Sequence, residues 1–353
     1  MYPLLRINLE KFKSNIEVIH SMCSKYRLSV MAVTKVFCAD AKLVSVINQS
    51  RVEYIADSRL KNLHNIDTSK DKVLLRLPSM HELEDVVSTA DISLNSEQET
   101  IEMLNYYACK NNKVHKIILM IDIGDLREGI YHKENIINTI QNIIKLDNIK
   151  LIGIGTNLTC YGGIIPDEQT LKRLIDIITL VKKTLNIDFE VISGGNSSHI
   201  HLLTDDYSIP YVNNLRIGEA FALGRETAYG EKIKDTFQDV FTLEADIIEI
   251  KYKPSIPEGL IGMNAFGEKP VFEDFGLMKR AIIAIGRQDV DFHELQPEND
   301  QIRFIGSSSD HIILDLTHTE KQYKVGDVLK FKVSYGSLLS LMTSQYVRKF
   351  YEE

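Results

Sequence analysis

Cysteine is scarce and unpatterned in this chain. Its four examples in 353 residues, Cys23, Cys38, Cys109 and Cys160, have neither the paired spacing of a metal site nor the density of a disulfide framework. Cys38 and Cys160 are expected to be small buried fillers. Basic runs and arginine–aromatic stripes are missing, and the net charge is -8, which argues against a nucleic-acid partner. No apolar stretch reaches membrane-spanning length, and the N-terminus, Met1-Tyr-Pro-Leu-Leu-Arg-Ile-Asn8, lacks a signal-peptide layout. A cytoplasmic protein with free thiols and no membrane contact is expected. Also absent is a Gly-x-Gly-x-x-Gly turn after the first buried strand, which disfavours an open doubly wound sheet. With 44% hydrophobic residues, the chain can bury a sizeable core.

Buried runs recur with amphipathic segments between them. Leu28–Thr34, Val52–Ala56, Lys72–Leu77, Asp91–Asn95, Lys116–Ile123, Leu151–Asn157, Phe189–Ser193 and Asn214–Gly218 read as strands. Between them, segments such as Ser96–Lys110, Lys133–Lys145 and Asp167–Leu185 carry apolar residues at helical spacing. Eight alternating units in about 200 residues predict a (β/α)8 TIM-type barrel over residues 1–235. From about Thr236 the texture changes. Val240–Lys251, Arg280–Ile285, Gln301–Ile305, Ile312–Leu316 and Val328–Val333 are separated by turn residues, predicting a C-terminal β-rich domain over residues 236–353.

Lys35 closes the first buried run. A lysine at the carboxyl end of a barrel strand sits where barrel active sites lie. A desolvated amine there can form a Schiff base with a carbonyl substrate or with pyridoxal phosphate. The segment Ser193-Gly-Gly-Asn-Ser-Ser198 follows the seventh strand, where glycines and hydroxyls let N–H and O–H groups converge on an anion. Leu215-Arg-Ile-Gly-Glu219 sets another glycine beside it. A reactive amine facing a phosphate cup points to pyridoxal 5'-phosphate as cofactor.

In this order the motifs resemble the alanine racemase family of fold-type III pyridoxal-phosphate enzymes, over nearly the whole chain. The resemblance implies that Lys35 carries the cofactor. It places Arg127, in Asp122-Ile-Gly-Asp-Leu-Arg-Glu-Gly129, near the phenolic oxygen, and Asn157 against the pyridine ring. It assigns Asn196 and Ser197 to the phosphate loop, Arg216 to the pyridine nitrogen, the amides of Gly218 and Glu219 to phosphate, and Tyr346 to phosphate as well. A guanidinium beside that nitrogen opposes its protonation. The electron sink is then weak, which favours return of a proton to Cα over transamination.

Three positions depart from the alanine-specific pattern. Arg287 replaces the tyrosine that serves as second base, Ala39 replaces a tyrosine four residues after the lysine, and Met120 replaces a lysine often carbamylated in the family. Arginine is always charged and cannot abstract a proton. With Lys35 serving one face, the opposite face is expected to use Asp310 or His311, in a loop that the resemblance places across a homodimer with shared active sites. His199 and His201 alternate but lack a third ligand, so packing is expected rather than metal.

The loop Thr156-Asn-Leu-Thr-Cys-Tyr-Gly-Gly163 resembles the ornithine and basic amino-acid racemase branch. Asp310, Glu219 and Asp289 are acids able to neutralise a distal ammonium. Racemisation of ornithine or another basic amino acid is the expected function. The alternatives are an alanine or broad-specificity racemase, a decarboxylase or aldolase on the same scaffold, and a non-catalytic pyridoxal-phosphate carrier.

Overall fold

The structure is a computed structural model that describes residues 2–207 and 209–352. It divides into two compact units. One spans Lys11–Gln238; the other joins Asp239 onward to the N-terminal segment through Glu10. The domain boundary expected at residues 1–235 therefore shifts at its N-terminal side. The first strand, β1 (Leu4–Asn8), pairs with strands of the second unit and is not part of the barrel.

Eight parallel strands close the barrel: β2 (Ser29–Val33), β3 (Tyr54–Asp57), β4 (Asp71–Leu74), β5 (Ile92–Asn95), β6 (His115–Met120), β7 (Ile149–Gly155), β8 (Val191–Ser193) and β9 (Asn214–Ile217). Each expected strand is present. Several end two or three residues early, because Leu75–Leu77, Ile121–Ile123 and Thr156–Asn157 have already turned into the loops above the barrel. Ile92 and Leu94, Ile118 and Met120 alternate onto the inner face, where they meet Met31 and Val191 in one buried cluster. Arg216 lies opposite Met31 in the register and so shares that inner face.

Helices cover the outside, and their ends follow from the sequence. Asp167 caps Glu168–Leu185 by accepting from the amide of Thr170, and Asn186 closes it in the left-handed region at φ 54°. Leu171, Leu174, Ile178 and Val181 bury one face of that helix at three-to-four spacing. Asn15, buried on Leu9–Lys25, donates to the carbonyls of Phe221 and Phe237 and accepts from the amide of Phe237. One side chain thus ties the first helix to the last barrel segments.

The second unit is built on β10 (Phe241–Pro254), with β11 (Leu277–Ile283), β12 (Leu295–Pro297), β13 (Arg303–Ser307), β14 (Ile312–Asp315), β15 (Val328–Val333) and β16 (Arg348–Glu352). The order is β12-β15-β10-β11-β14-β13, with β1 joined to β10 and β16. β10 is bulged between Ile247 and Glu249: before the bulge it pairs with β1 and β15, and from Ile247 onward with β11. A helix, Tyr335–Thr343, is opened by a capping box between Ser334 and Ser337.

Candidate active site

Lys35 is the second residue after β2, following Thr34. It is half-buried and opens a short 3-10 turn, Lys35–Phe37, after which Cys38 and Ala39 both take left-handed backbone at φ 53° and 52°. That double reversal fixes the lysine at the rim, at some cost in strain for two non-glycine residues. Beneath it Thr34 donates to the fully buried carboxylate of Asp57 at 2.6 Å, which also accepts from the amide of Arg59 and the side chain of Asn62. Burial raises Asp57 above the usual carboxylate range, against those hydrogen bonds and the nearby positive charge of Lys35.

The loop after β8 forms a cradle. Gly195 has φ +123°, and a Cβ there would meet no atom within 4 Å. Asn196 shapes the turn, accepting from the amide of Ser198 and donating to the carbonyl of Leu158, each at 2.8 Å. Ser197 Oγ accepts from the amide of Ala220 at 3.3 Å, which leaves its own proton to donate. The Ser198 hydroxyl is buried and has no hydrogen-bond partner among the described residues, and neither has Thr156 Oγ1 on the loop after β7. Buried hydroxyls without partners are costly, and a multiply accepting group such as phosphate meets that need.

His199 anchors the cradle from behind. Its Nδ1 meets the carbonyl of Gly194 and its Nε2 the hydroxyl of Tyr207, both at 3.1 Å. Burial pushes its pKa down to about 4, so the ring is neutral, with the proton on Nδ1. His201 meets the carbonyl of Ser198. Both histidines therefore pack and position, and no cluster able to hold a metal exists among the described residues.

Arg216 is 5% exposed on β9. It donates to Ser193 Oγ at 2.5 Å, the Thr156 carbonyl at 2.7 Å and Asn157 Oδ1 at 3.1 Å. No carboxylate pairs with it directly among the described residues. Burial pushes its pKa down to about 10, still above neutrality, so it remains a cation. Gly218 follows because a Cβ there would stand 3.0 Å from the Val33 carbonyl. Glu219 then opens the helix Glu219–Leu223. Its carboxyl is pushed up to about 7, chiefly by burial and against the charge of Lys35 and Arg225.

The loops after β6 and β7 are held together by Asp125. This buried carboxylate accepts from the amides of Cys160, Tyr161 and Ile164, while its carbonyl accepts from Gly162. Gly129 has φ +127°, and a Cβ there would stand 2.5 Å from the Asp122 amide. In this frame Arg127 pairs with its neighbour Glu128 and donates to the Cys160 sulfur. Cys160 is exposed, and Cys38 half-buried, so neither is the buried filler expected.

Lys35, Asn157, Asn196, Ser197, Arg216, Gly218 and Glu219 thus gather at the carboxyl ends of the barrel strands, with Arg127 on the same rim. Asp310, His311 and Tyr346 belong to the second unit. Asp310 and His311 are exposed on the β13–β14 hairpin, and Tyr346 is 70% exposed. Arg287 stacks on Phe266 and pairs with Glu268 at 3.5 Å. Asp289 is buried and accepts from Ser344 Oγ. Asp57, Asp125, Glu128 and His199 were not foreseen as contributors. Asp125 and Glu128 left a signal as charges inside the arginine motif, and His199 as one of an alternating pair.

The family described as alanine racemase, N-terminal domain, matches residues 7–225. An ornithine racemase from Acetoanaerobium sticklandii is 46% identical over 350 residues, covering 99% of both chains. A lysine racemase from Thermotoga maritima is 36% identical, covering 100% of this chain and 99% of its own. Among solved structures, an alanine racemase from Bartonella henselae with covalently bound pyridoxal phosphate superposes with a TM-score of 0.76 at 17% identity, covering both chains completely. An alanine racemase from Clostridium difficile 630 gives 0.75 at 17% identity, over 100% of this chain and 96% of that one.

Proposed function

We propose, on the premise that this chain belongs to the alanine racemase family, that it interconverts the L and D forms of ornithine, with lysine as second substrate. It is a pyridoxal-phosphate-dependent racemase of basic amino acids. The residues present fit that cofactor: an amine at the end of β2, and a glycine–serine cradle with a buried hydroxyl that has no partner among the described residues. Lys35 would hold it covalently, and Ser197, Ser198 and the amides at Gly218 and Glu219 would hold its phosphate. Bound there, the cofactor supplies a sink for the electron pair left at Cα when the proton departs.

The observation that carries the racemase reading is Arg216. A buried guanidinium whose hydrogen-bond partners among the described residues are all neutral faces the site where a strong sink would call for a carboxylate. Like charges disfavour a second cation beside it, so the sink stays weak and a proton returns to Cα before other chemistry intervenes. Lys35 takes or returns that proton on one face.

The opposite face needs a second carrier. Arg287 is permanently charged and engaged by Glu268. We assign the role to His311 or Asp310 of a second copy of the chain in a homodimer, and their exposure on a hairpin supports this. The thiols of Cys23, Cys109 and Cys160 suit a reducing compartment, which we take to be the cytoplasm.

The experiment is direct. Protein loaded with pyridoxal phosphate and given L-ornithine should lose optical rotation, and borohydride should fix the label on Lys35. A label on another lysine, or unchanged rotation with every basic amino acid, would overturn the assignment.

A further inference from the structure

Glu128 follows Arg127 directly and lies within the barrel unit. Its side chain is 16% exposed, whereas that of Arg127 is 40% exposed. Both of its carboxylate oxygens are in use. One accepts from Arg127 Nε, and the other accepts from Arg127 Nη2 and from Asn157 Nδ2, the last at 3.1 Å. A two-point grip of this kind fixes the plane of a guanidinium and not merely its charge.

The contacts continue through Asn157. Its Nδ2 faces the Glu128 carboxylate, and its Oδ1 accepts from Arg216 Nη2 at 3.1 Å and from Asn196 Nδ2 at 3.4 Å. An anion on one side and a cation on the other leave the amide a single sensible orientation. Glu128 therefore bears on three residues around the site: Arg127 directly, Asn157 directly, and Arg216 through Asn157 and through its charge. It is also the carboxylate that pairs with Arg127, while Arg216 has no carboxylate partner of its own among the described residues.

We propose that Glu128 is a positioning residue for the racemisation site: it orients Arg127 and Asn157 toward the bound cofactor and offsets the combined positive charge of Arg127 and Arg216. With both oxygens occupied, it is not available to bind the distal ammonium of a basic substrate. The inference rests on the proposed pyridoxal-phosphate reading of this same site.

The test uses the loaded enzyme and three variants, Glu128→Gln, Arg127→Gln and the two combined. Glu128→Gln keeps an acceptor for Asn157 and removes the charge. Two arginines without their counter-charge disfavour a protonated group nearby, so the visible band of the bound cofactor should titrate about one pH unit lower than in wild type. The racemisation kcat should fall about tenfold while KM for ornithine changes little, because orientation and charge are altered and not substrate contact. The combined variant should be no worse than Arg127→Gln alone, the signature of two residues acting as one. An unshifted titration, or strictly additive losses, would overturn the role of Glu128. A wild-type protein that takes up no pyridoxal phosphate would overturn the reading of the site itself, which separates the two failures. Should Glu128→Gln fold poorly, the titration of Arg127→Gln decides: losing a cation must move the band upward, and a downward shift or none refutes the charge argument.

Discussion

Glu219 and the buried histidines pull stability in opposite directions with pH. The Glu219 carboxyl, raised by burial from 4.5 to about 7, binds its proton more tightly in the folded chain than in the unfolded one. Its contribution is therefore complete below pH 4.5 and lost as the pH rises through 7. His115 and His199 are both lowered by burial from 6.5 to about 4. Theirs is present above pH 6.5 and lost as the pH falls through 4. In the cofactor-free protein Glu219→Gln should leave the histidine effect unopposed, so the melting temperature should climb more steeply between pH 4.5 and 6.5 than in wild type. At pH 8 the variant should melt higher, since a buried charge has been removed. Parallel melting curves for the two proteins across that range would show that Glu219 is solvated and not shifted. The charge of Lys35 acts on the same carboxyl, so its titration also changes the field at that amine.

Among the elements, the loops after β6 and β7 behave as one piece because a single carboxylate joins them. Asp125→Ala strands three amides that it now satisfies, and the expected loss is about 2 kcal/mol in chemical denaturation. Amide exchange should quicken in residues 160–164 while the barrel strands stay protected; uniform protection would mean that the loops are held by something else. This also explains what the sequence disclosed and what it withheld. The eight barrel strands were legible because a parallel strand buried on both faces is a continuous apolar run, as in Ile117–Met120 of β6. Their carboxyl ends were overextended because apolar residues such as Leu77 and Ile123 continue into the loops. β1, β16 and the helix Tyr335–Thr343 left no comparable trace. Arg6 and Lys349 put charge into the two paired strands, and β1 finds its partners more than 200 residues away. The site's lysine, arginines and cradle were readable as motifs. Asp125 and Glu128 were not, because their meaning comes from amides and guanidinium groups that only the fold brings to them.

For the whole molecule, the open question is where the second proton carrier resides. Racemisation needs a group on each face of Cα; on the proposed reading Lys35 of the barrel unit serves one, and Arg287, permanently charged and engaged by Glu268, cannot serve the other. If Asp310 and His311 act on the barrel of a second copy, each site needs residues from two chains. Two dead proteins can then repair one another. A Lys35→Ala chain keeps a good hairpin, and an Asp310→Ala/His311→Ala chain keeps a good barrel. In their mixed dimer one site has both defects and the other has neither. Random pairing makes half the dimers mixed, so co-expression should restore about a quarter of wild-type activity from two variants that show none alone. The Asp310→Ala/His311→Ala protein should by itself still exchange the Cα proton with solvent deuterium from the Lys35 face while failing to invert the substrate. Mixed dimers that form, as native mass spectrometry would show, and yet remain inactive would place the second carrier within the same chain as the lysine. A double variant that racemises normally would exclude the hairpin altogether and turn attention to Tyr161, exposed on the loop that Asp125 holds.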